Sequence, residues 1–159
     1  MLTGKNRVIL LIIFWCYFLL LVKLILLKNI TYVFGEGYSK NYGLHLLKLS
    51  WERANFIPGK TLYYYLSLQE KFETGLENLG GNILLFIPFG GLLPITFKKF
   101  RKFSKLLFVV ILTSSCFEIC QLFIAYGNCD IDDVILNTIG GVIGYWIYRT
   151  VSSRSSIKP

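Results

Sequence analysis

The residues with the clearest capacity for chemistry are carboxylates and amides that interrupt the apolar second half of the chain. They are Asn82, Glu118, Gln121, Asp130, Asp132, Asp133 and Asn137. Three of the acids fall in a short break between two apolar runs, and the other polar residues lie inside such runs. Polar groups inside a membrane are costly unless they are paired, solvated or functional. Whether the apolar runs cross a membrane therefore decides how these side chains are interpreted.

The composition indicates a membrane protein. Of the 159 residues, 54% are hydrophobic and only 16% are charged, whereas about a quarter of a soluble domain is charged. The apolar residues gather in four runs, at about 8–27, 79–97, 106–125 and 134–151. A helix of about 20 residues rises about 30 Å, the thickness of the hydrocarbon core. The sequence therefore predicts an all-α integral membrane protein with four transmembrane helices, folded as a single domain over residues 1–159.

The basic residues set the predicted orientation. Five of the eight positions from 98 to 105 are lysine or arginine, as in a short cytoplasmic turn. Lys5 and Arg7 precede the first run, basic residues follow at 149, 154 and 158, and the break at 126–133 carries three acids and no basic residue. Both termini are therefore predicted to be cytoplasmic, with a long extracellular loop between the first and second crossings. The expected location is a plasma membrane, which the chain would cross several times.

The long loop, residues 28–78, is expected to be ordered. Residues 44–51 are compatible with a short helix lying on the membrane surface. Trp51, Phe56 and three consecutive tyrosines at 63–65 suit the level of the lipid headgroups, where amphipathic rings settle. The pattern predicts a loop that rests on the membrane.

Prolines and glycines predict how the second and fourth crossings pack. Proline removes a backbone donor and predicts a kink in the second crossing, which would place this helix in the bundle interior or beside a cavity. Gly140 and Gly144 are four apart, a small-residue pair that lets helices approach closely. The residues predicted to serve packing or a kink are Pro88, Gly90, Gly140, Gly141 and Gly144.

Helical spacing predicts which polar side chains share a face. Glu118 and Gln121 are three apart in the third crossing, and Asp133 and Asn137 are four apart at the start of the fourth. Together with Asn82, they would form a polar site in the outer leaflet. An unpaired Glu118 would have to be protonated, solvated by a cavity or tied to hydrogen-bond donors. Because no cation lies at its depth in the second to fourth crossings, a protonated or water-facing Glu118 is expected.

Structural roles are the alternative for these residues. Asp130 or Asp132 would cap the fourth helix, where free N–H groups favour a carboxylate. Asn82, Gln121 and Asn137 would form interhelical hydrogen bonds, worth about 0.6 to 2 kcal/mol each. Capping explains Glu118 and Asp133 least well.

The sequence predicts no cofactor and no metal site. Cys16, Cys116 and Cys120 lie inside apolar runs, where a thiol behaves as a small hydrophobe, and Cys129 has no second loop cysteine as a partner. The basic residues lie at the ends of apolar runs and not in a groove-reading module, so nucleic acid is not expected as a partner. Membrane lipid is the expected partner. Catalytic residues and the oligomeric state are left open.

Segments of the chain resemble the VanZ-like family. The resemblance rests on residues 82–90 (NILLFIPFG), on Glu118 with Gln121, and on residues 130–141 (DIDDVILNTIGG). Residues 55–58 (NFIP) resemble a further recurrent piece. The resemblance implies a family link to low-level resistance to lipoglycopeptide antibiotics of the teicoplanin type, which act at the outer face of bacterial membranes.

Three functions are compatible with these features. In the first, the protein binds or modifies an amphiphile, such as a lipoglycopeptide, at the outer leaflet and lowers susceptibility to the antibiotic. In the second, it is a membrane enzyme acting on a lipid-linked cell-wall precursor, with Glu118 and Asp133 as acid and base or as oxygen ligands of a divalent cation. In the third, it is a proton-coupled drug carrier in which Glu118 exchanges a proton for a cationic drug.

Overall fold

The computed structural model of the chain describes residues 4–26, 40–67, 72–124 and 129–154. The first part of the predicted long loop, residues 126–128 of the predicted break and the tail residue Lys158 lie outside the described residues. Within these ranges the protein is all-helical, as the composition predicts. Its helices are α1 (Gly4–Leu26), α2 (Lys40–Arg53), α3 (Lys60–Ser67), α4 (Phe72–Thr96), a 3₁₀ helix (Lys98–Arg101), α5 (Phe103–Ile124) and α6 (Ile131–Arg154).

Three stretches are long and apolar enough to cross a membrane: Gly4–Leu26, Gly75–Thr96 and Phe103–Phe123. Helix α6 has 24 residues but is not among them, because polar residues interrupt its apolar run. The second helix begins at Phe72 and not at 79 as predicted. The reason is that its first two turns are polar and do not register in a hydropathy pattern, although they continue the same helix. The other long helices extend the predicted runs by a few residues at their polar ends.

The predicted long loop contains more helix than its sequence pattern indicates. The short helix expected at 44–51 is part of the longer α2, and α3 was not predicted. Between them Pro58 and Gly59 form the centre of a tight turn, in which the N–H of Lys60 donates to the carbonyl of Ile57 at 3.3 Å. Gly59 has φ +83°, the left-handed conformation that this type of turn requires at its third residue.

Aromatic side chains hold α1 against α4 and α5. Phe14 stacks on Phe89 at 6.2 Å between ring centroids, and Phe18 stacks on Phe117 at 6.3 Å. The hydroxyl of Tyr17 also donates to the carbonyl of Leu85, in the part of α4 that precedes Pro88. The buried core they share includes Phe14, Leu21, Phe86, Phe89, Leu93, Leu106, Val110, Phe117 and Tyr145.

Helices α4 and α6 approach so closely that glycines are required between them. A Cβ on Gly140 would lie 2.2 Å from the carbonyl oxygen of Ile83, and one on Gly144 would lie 1.9 Å from that of Ile87. From the other side, a Cβ on Gly90 would lie 2.0 Å from the carbonyl oxygen of Gly141. Gly141 itself faces the side chain of Val110 in α5, so the glycines bring three helices together.

Helix α4 runs through Pro88 and Pro94 as one helix, and a kink at these prolines stays a prediction. The loop between α4 and α5 carries Lys98, Lys99, Arg101 and Lys102, and we call this side of the bundle the basic end. At the opposite side α6 begins beside Asp130, Asp132 and Asp133. We call that side the acidic end.

Candidate functional site

Asp132 fastens the start of α3 to the start of α6. Its side chain is 1% exposed, and its two carboxylate oxygens accept backbone N–H groups from Gly59 at 2.5 Å, Thr61 at 2.9 Å and Leu62 at 3.2 Å. The first residues of a helix present free N–H groups and a partial positive charge, which a carboxylate stabilises. Asp132 therefore caps α3, a different helix from the one that the sequence pattern assigned to it.

Asp130 caps its own helix, as one of the structural alternatives predicts. Its Oδ1 accepts the backbone N–H of Asp132 at 2.9 Å, two residues on. The same oxygen accepts the side-chain amide of Asn55 at 2.9 Å, and Oδ2 accepts the hydroxyl of Thr61. Asp130 is thus shared between α6 and the segment before α3.

A short parallel β-bridge joins Asn55 to Asp130. The N–H of Asn55 donates to the carbonyl of Cys129 at 2.8 Å, and the N–H of Ile131 donates to the carbonyl of Asn55 at 2.9 Å. With the bonds to Asp130 and Asp132, these contacts form what we call the clip. It holds residues 55–62 against the start of α6.

Glu118 is tied to a hydrogen-bond donor at the acidic end. It is 3% exposed, so it does not face open water, which was one of the two states expected for it. Its Oε2 accepts the backbone N–H of Asp130 at 2.8 Å. This bond brings the carboxylate of α5 to the residue that caps α6. The carboxylates of α5 and α6 therefore meet in one place.

Asp133 faces α4, where two amides converge on it. Asn82 donates to its Oδ1 at 2.6 Å, and Asn78, one turn earlier on α4, approaches the same oxygen at 3.4 Å. Among the described residues, no side chain or N–H group donates to the other oxygen, Oδ2. Asp133 is half-buried, so this oxygen is the part of the cluster best placed to meet a ligand.

Gln121 and Asn137 do not join this cluster, although their spacing predicted that they would. Gln121 donates to the carbonyl of Ile25 in α1 at 3.2 Å, and Asn137 donates to the hydroxyl of Ser114 in α5 at 2.9 Å. Both are the interhelical hydrogen bonds that the structural alternative describes. The Oδ1 atom of Asn137 is buried and accepts no bond from the described residues.

The acidic end also alters Cys129, the residue next to the cap. Burial raises the pKa of the Cys129 thiol above its usual range, and the nearby charges of Glu118 and Asp130 raise it further. Across the described ranges, no set of three or more histidine, cysteine or acidic side chains is arranged to hold a metal ion. Hydrogen bonds hold this part of the site together.

Several residues of the acidic end were missed as partners in the sequence. Asn78 had a usable signal, because it lies four residues before Asn82 and therefore on the same face of a helix. Asn55 lay in the NFIP segment, which the family resemblance had marked without linking it to the acids. No signal in the sequence marked Thr61 as a partner of Asp130 or Ser114 as the partner of Asn137.

Comparisons with known proteins agree with the resemblance seen in the sequence. A family model described as VanZ/LLP1 matches residues 14–152. The chain is similar to the protein VanZ of Enterococcus faecium, with 48% identity over 77 residues that cover 48% of this chain and 47% of the relative. The matched segment thus spans about half the length of that relative. No solved structure matches the chain. Because the family model covers most of the sequence, from residue 14 to residue 152, the chain belongs to the VanZ/LLP1 family.

Proposed function

We propose that this chain is a multi-pass protein of the bacterial plasma membrane that lowers susceptibility to lipoglycopeptide antibiotics of the teicoplanin type. Membership of the VanZ/LLP1 family and the similarity to the protein VanZ support this proposal. The three helices that are long and apolar enough to cross a membrane are also consistent with it. The whole chain would act as one membrane domain.

In the proposed topology α6 is a fourth crossing. Its 24 residues span about 36 Å at 1.5 Å per residue, and Ile135, Ile139, Ile143 and Ile147 form an exposed apolar stripe along it. The lysines and arginines of the basic end would lie in the cytosol with both termini. The acidic end would then face the outside, where lipoglycopeptides act.

The site would be the cluster formed by Asn78, Asn82, Glu118, Asp130 and Asp133. The observation that carries this assignment is the half-buried Asp133, whose Oδ1 accepts both amides of α4 while its Oδ2 accepts no bond from the described residues. Such an oxygen can accept hydrogen bonds from the hydroxyl, amide or ammonium groups of an amphiphile headgroup. The neighbouring amides would hold the carboxylate in position for that contact.

The test is the susceptibility of a teicoplanin-sensitive bacterium that expresses the chain. Wild-type protein should raise the minimal inhibitory concentration, and Asp133→Asn should return it toward the level of cells that lack the protein. Glu118→Ala should do the same. Glu77→Gln is the matched control, because it removes a carboxylate from an exposed position on α4 that lies outside the cluster.

Membrane abundance of each variant must be equal for this comparison. If Asp133→Asn and Glu118→Ala protected cells as well as the wild type at equal abundance, the site assignment would be wrong. If the wild-type protein gave no protection, the proposed function itself would fail.

A second candidate is a membrane enzyme that acts on a lipid-linked cell-wall precursor. It is favoured by the position of Glu118, whose carboxylate accepts the N–H of Asp130, three residues before Asp133, since two nearby carboxylates from different helices can divide the roles of acid and base. Mass spectrometry of membrane lipids and precursors from cells with and without the protein tests it. A new or depleted precursor mass would favour this candidate, and unchanged profiles would count against it.

A further inference from the structure

The segment from the end of α2 into α3 turns large apolar side chains away from the protein. Trp51 is 61% exposed, Phe56 58%, Ile57 63% and Tyr63 75%. The ring of Trp51 packs on that of Phe56, with 5.8 Å between centroids. We call these four side chains the aromatic shelf. Single exposed apolar residues are ordinary on protein surfaces, but a group of this size on one short segment marks an interaction surface.

The clip fixes the level of this shelf along the bundle. Asn55, Gly59 and Thr61 lie within the shelf segment, and they are bonded to Asp130 and Asp132. The segment can therefore not rise far from the start of α6.

A hydrogen bond to α4 shows where the clip lies along that helix. Asp133, the next residue after Asp132, is bonded to Asn82 at 2.6 Å. Asn82 lies two turns inside the apolar stretch Gly75–Thr96. The clip thus holds the shelf beside the first turns of a helix that is able to cross a membrane. At that level a bilayer changes from headgroups to hydrocarbon.

The chemistry of the shelf fits that boundary. Tryptophan and tyrosine concentrate at membrane interfaces, because they combine an apolar ring with a polar group. Lys48, Arg53 and Lys60 are exposed on the same segment, and their long side chains suit lipid phosphates. Exposed rings and cations on one segment are therefore typical of a surface that contacts lipid headgroups.

We propose that the aromatic shelf lies in the headgroup region of the leaflet at the acidic end, with its rings against lipid and its cations on lipid phosphates. The occupant of this surface is therefore phospholipid and not another protein. This inference concerns how the chain sits in the bilayer, and it holds whether or not the chain confers antibiotic resistance.

Tryptophan fluorescence tests the proposal directly. The chain has three tryptophans, so the double variant Trp15→Phe, Trp146→Phe leaves Trp51 as the probe. Tyr63→Trp, made in a chain in which all three native tryptophans are phenylalanine, supplies a second probe on α3. Each variant is reconstituted into vesicles of phosphatidylcholine and phosphatidylglycerol, with bromine at a defined depth in the acyl chains.

Both probes should emit at a shorter wavelength than tryptophan amide in buffer. Iodide should quench both of them much less than it quenches tryptophan amide. Lipids brominated close to the headgroup should quench them more than lipids brominated near the chain end. Quenching of either probe by iodide as efficient as that of tryptophan amide, with none by brominated lipid, would overturn the proposal. Shielding that appears in native membranes but is lost in pure lipid vesicles would also overturn it, because a protein partner would then be the occupant.

Discussion

At the residue scale, the tightest constraint in the described structure is the contact of Gly144 with the carbonyl oxygen of Ile87. A Cβ built on Gly144 would lie 1.9 Å from that oxygen, and the obstacle is backbone, which cannot turn away as a side chain can. The glycine therefore sets how close α4 and α6 can come. The position of Asp133 relative to Asn82 depends on that distance.

Gly144→Ala should destabilise the protein by about 1–3 kcal/mol, the usual cost of an overpacked contact. Gly80→Ala is the matched control, since a Cβ there meets nothing within 4 Å and alanine favours a helix over glycine by about 1 kcal/mol. Thermal unfolding in detergent should show a lower midpoint for the first variant and an equal or higher one for the second. Equal midpoints for Gly144→Ala and wild type would mean that the helices do not touch at this point.

Cys129 should react slowly with thiol reagents at neutral pH. Its raised pKa lowers the fraction of reactive thiolate at any given pH, so its rate profile should be shifted to higher pH relative to a free cysteine peptide. The measurement is alkylation by N-ethylmaleimide from pH 7 to 10 in a chain with Cys16→Ser, Cys116→Ser and Cys120→Ser.

Glu118→Gln should move that profile back toward lower pH, because it removes one of the negative charges that raise the pKa of Cys129. Glutamine keeps an oxygen for the N–H of Asp130, so the local backbone should be preserved. Gln121→Ala changes no charge and should leave the profile in place. A profile for the parent chain identical to that of the free peptide would contradict the burial of Cys129.

At the scale of elements, the clip joins residues 55–62 to the start of α6 through hydrogen bonds. Helix α3 has only eight residues, too few to be stable alone in water. Its N–H groups are satisfied by Asp132, and Gly75 of α4 lets the side chain of Tyr65 pack against it, since a Cβ there would lie 2.5 Å from that of Tyr65. The helix is held in place by what it contacts and not by its own propensity.

Asp132→Ala should therefore loosen the start of α3. It removes the acceptor of three backbone N–H groups, and a hydrogen bond to a charged group contributes about 1.5–3 kcal/mol. The amides of Gly59, Thr61 and Leu62 should exchange hydrogen at least about tenfold faster, which corresponds to about 1.4 kcal/mol. Hydrogen exchange followed by mass spectrometry of this peptide measures the change.

Glu77→Ala serves as the comparison for that experiment, because Glu77 is exposed on α4 and lies outside the clip. In the Glu77→Ala variant, amide hydrogen exchange in residues 59–62 should match that of the wild type. Unchanged exchange in Asp132→Ala would show that the clip does not hold the segment.

The elements differ in how far the sequence could predict them. The long apolar helices were found because their length and composition are properties of a single stretch. The start of α4 at Phe72 was missed because polar residues continue a helix without leaving an apolar pattern. The partnership of Asn55 with Asp130 was out of reach, because pairing between residues 75 positions apart depends on how the helices pack. For the same reason spacing grouped Gln121 with Glu118 and Asn137 with Asp133, whereas the packing directs Gln121 to Ile25 of α1 and Asn137 to Ser114.

At the scale of the whole molecule, charge is distributed along the bundle. The chain carries a formal net charge of +8, yet the acidic end brings together Glu118, Asp130, Asp132 and Asp133. The cationic residues 98–102 lie at the opposite end of α4. This polarity is what a protein with a fixed orientation in a membrane requires.

Reporter fusions should place the two ends on opposite sides of the membrane. Green fluorescent protein fused after the C-terminus should fluoresce, because it folds in the cytosol, and alkaline phosphatase fused after Ser67 should be active, because it requires the outside. The controls exchange the two reporters. Alkaline phosphatase fused after the C-terminus should be inactive, and green fluorescent protein fused after Ser67 should not fluoresce. An active phosphatase at the C-terminus would show that α6 does not return the chain to the cytosol.

The clip also has a consequence for the order of events during synthesis. Thr61 precedes its partner Asp132 by 71 residues, and at about 5–20 residues per second the ribosome needs roughly 4–14 s to cover that distance. Throughout this interval the N–H groups at the start of α3 must bond to water or lipid headgroups, and the segment is open to membrane proteases. A nascent chain stalled before Asp130 would stay in that vulnerable state, so residues 55–62 become protected only when the start of α6 has been synthesised.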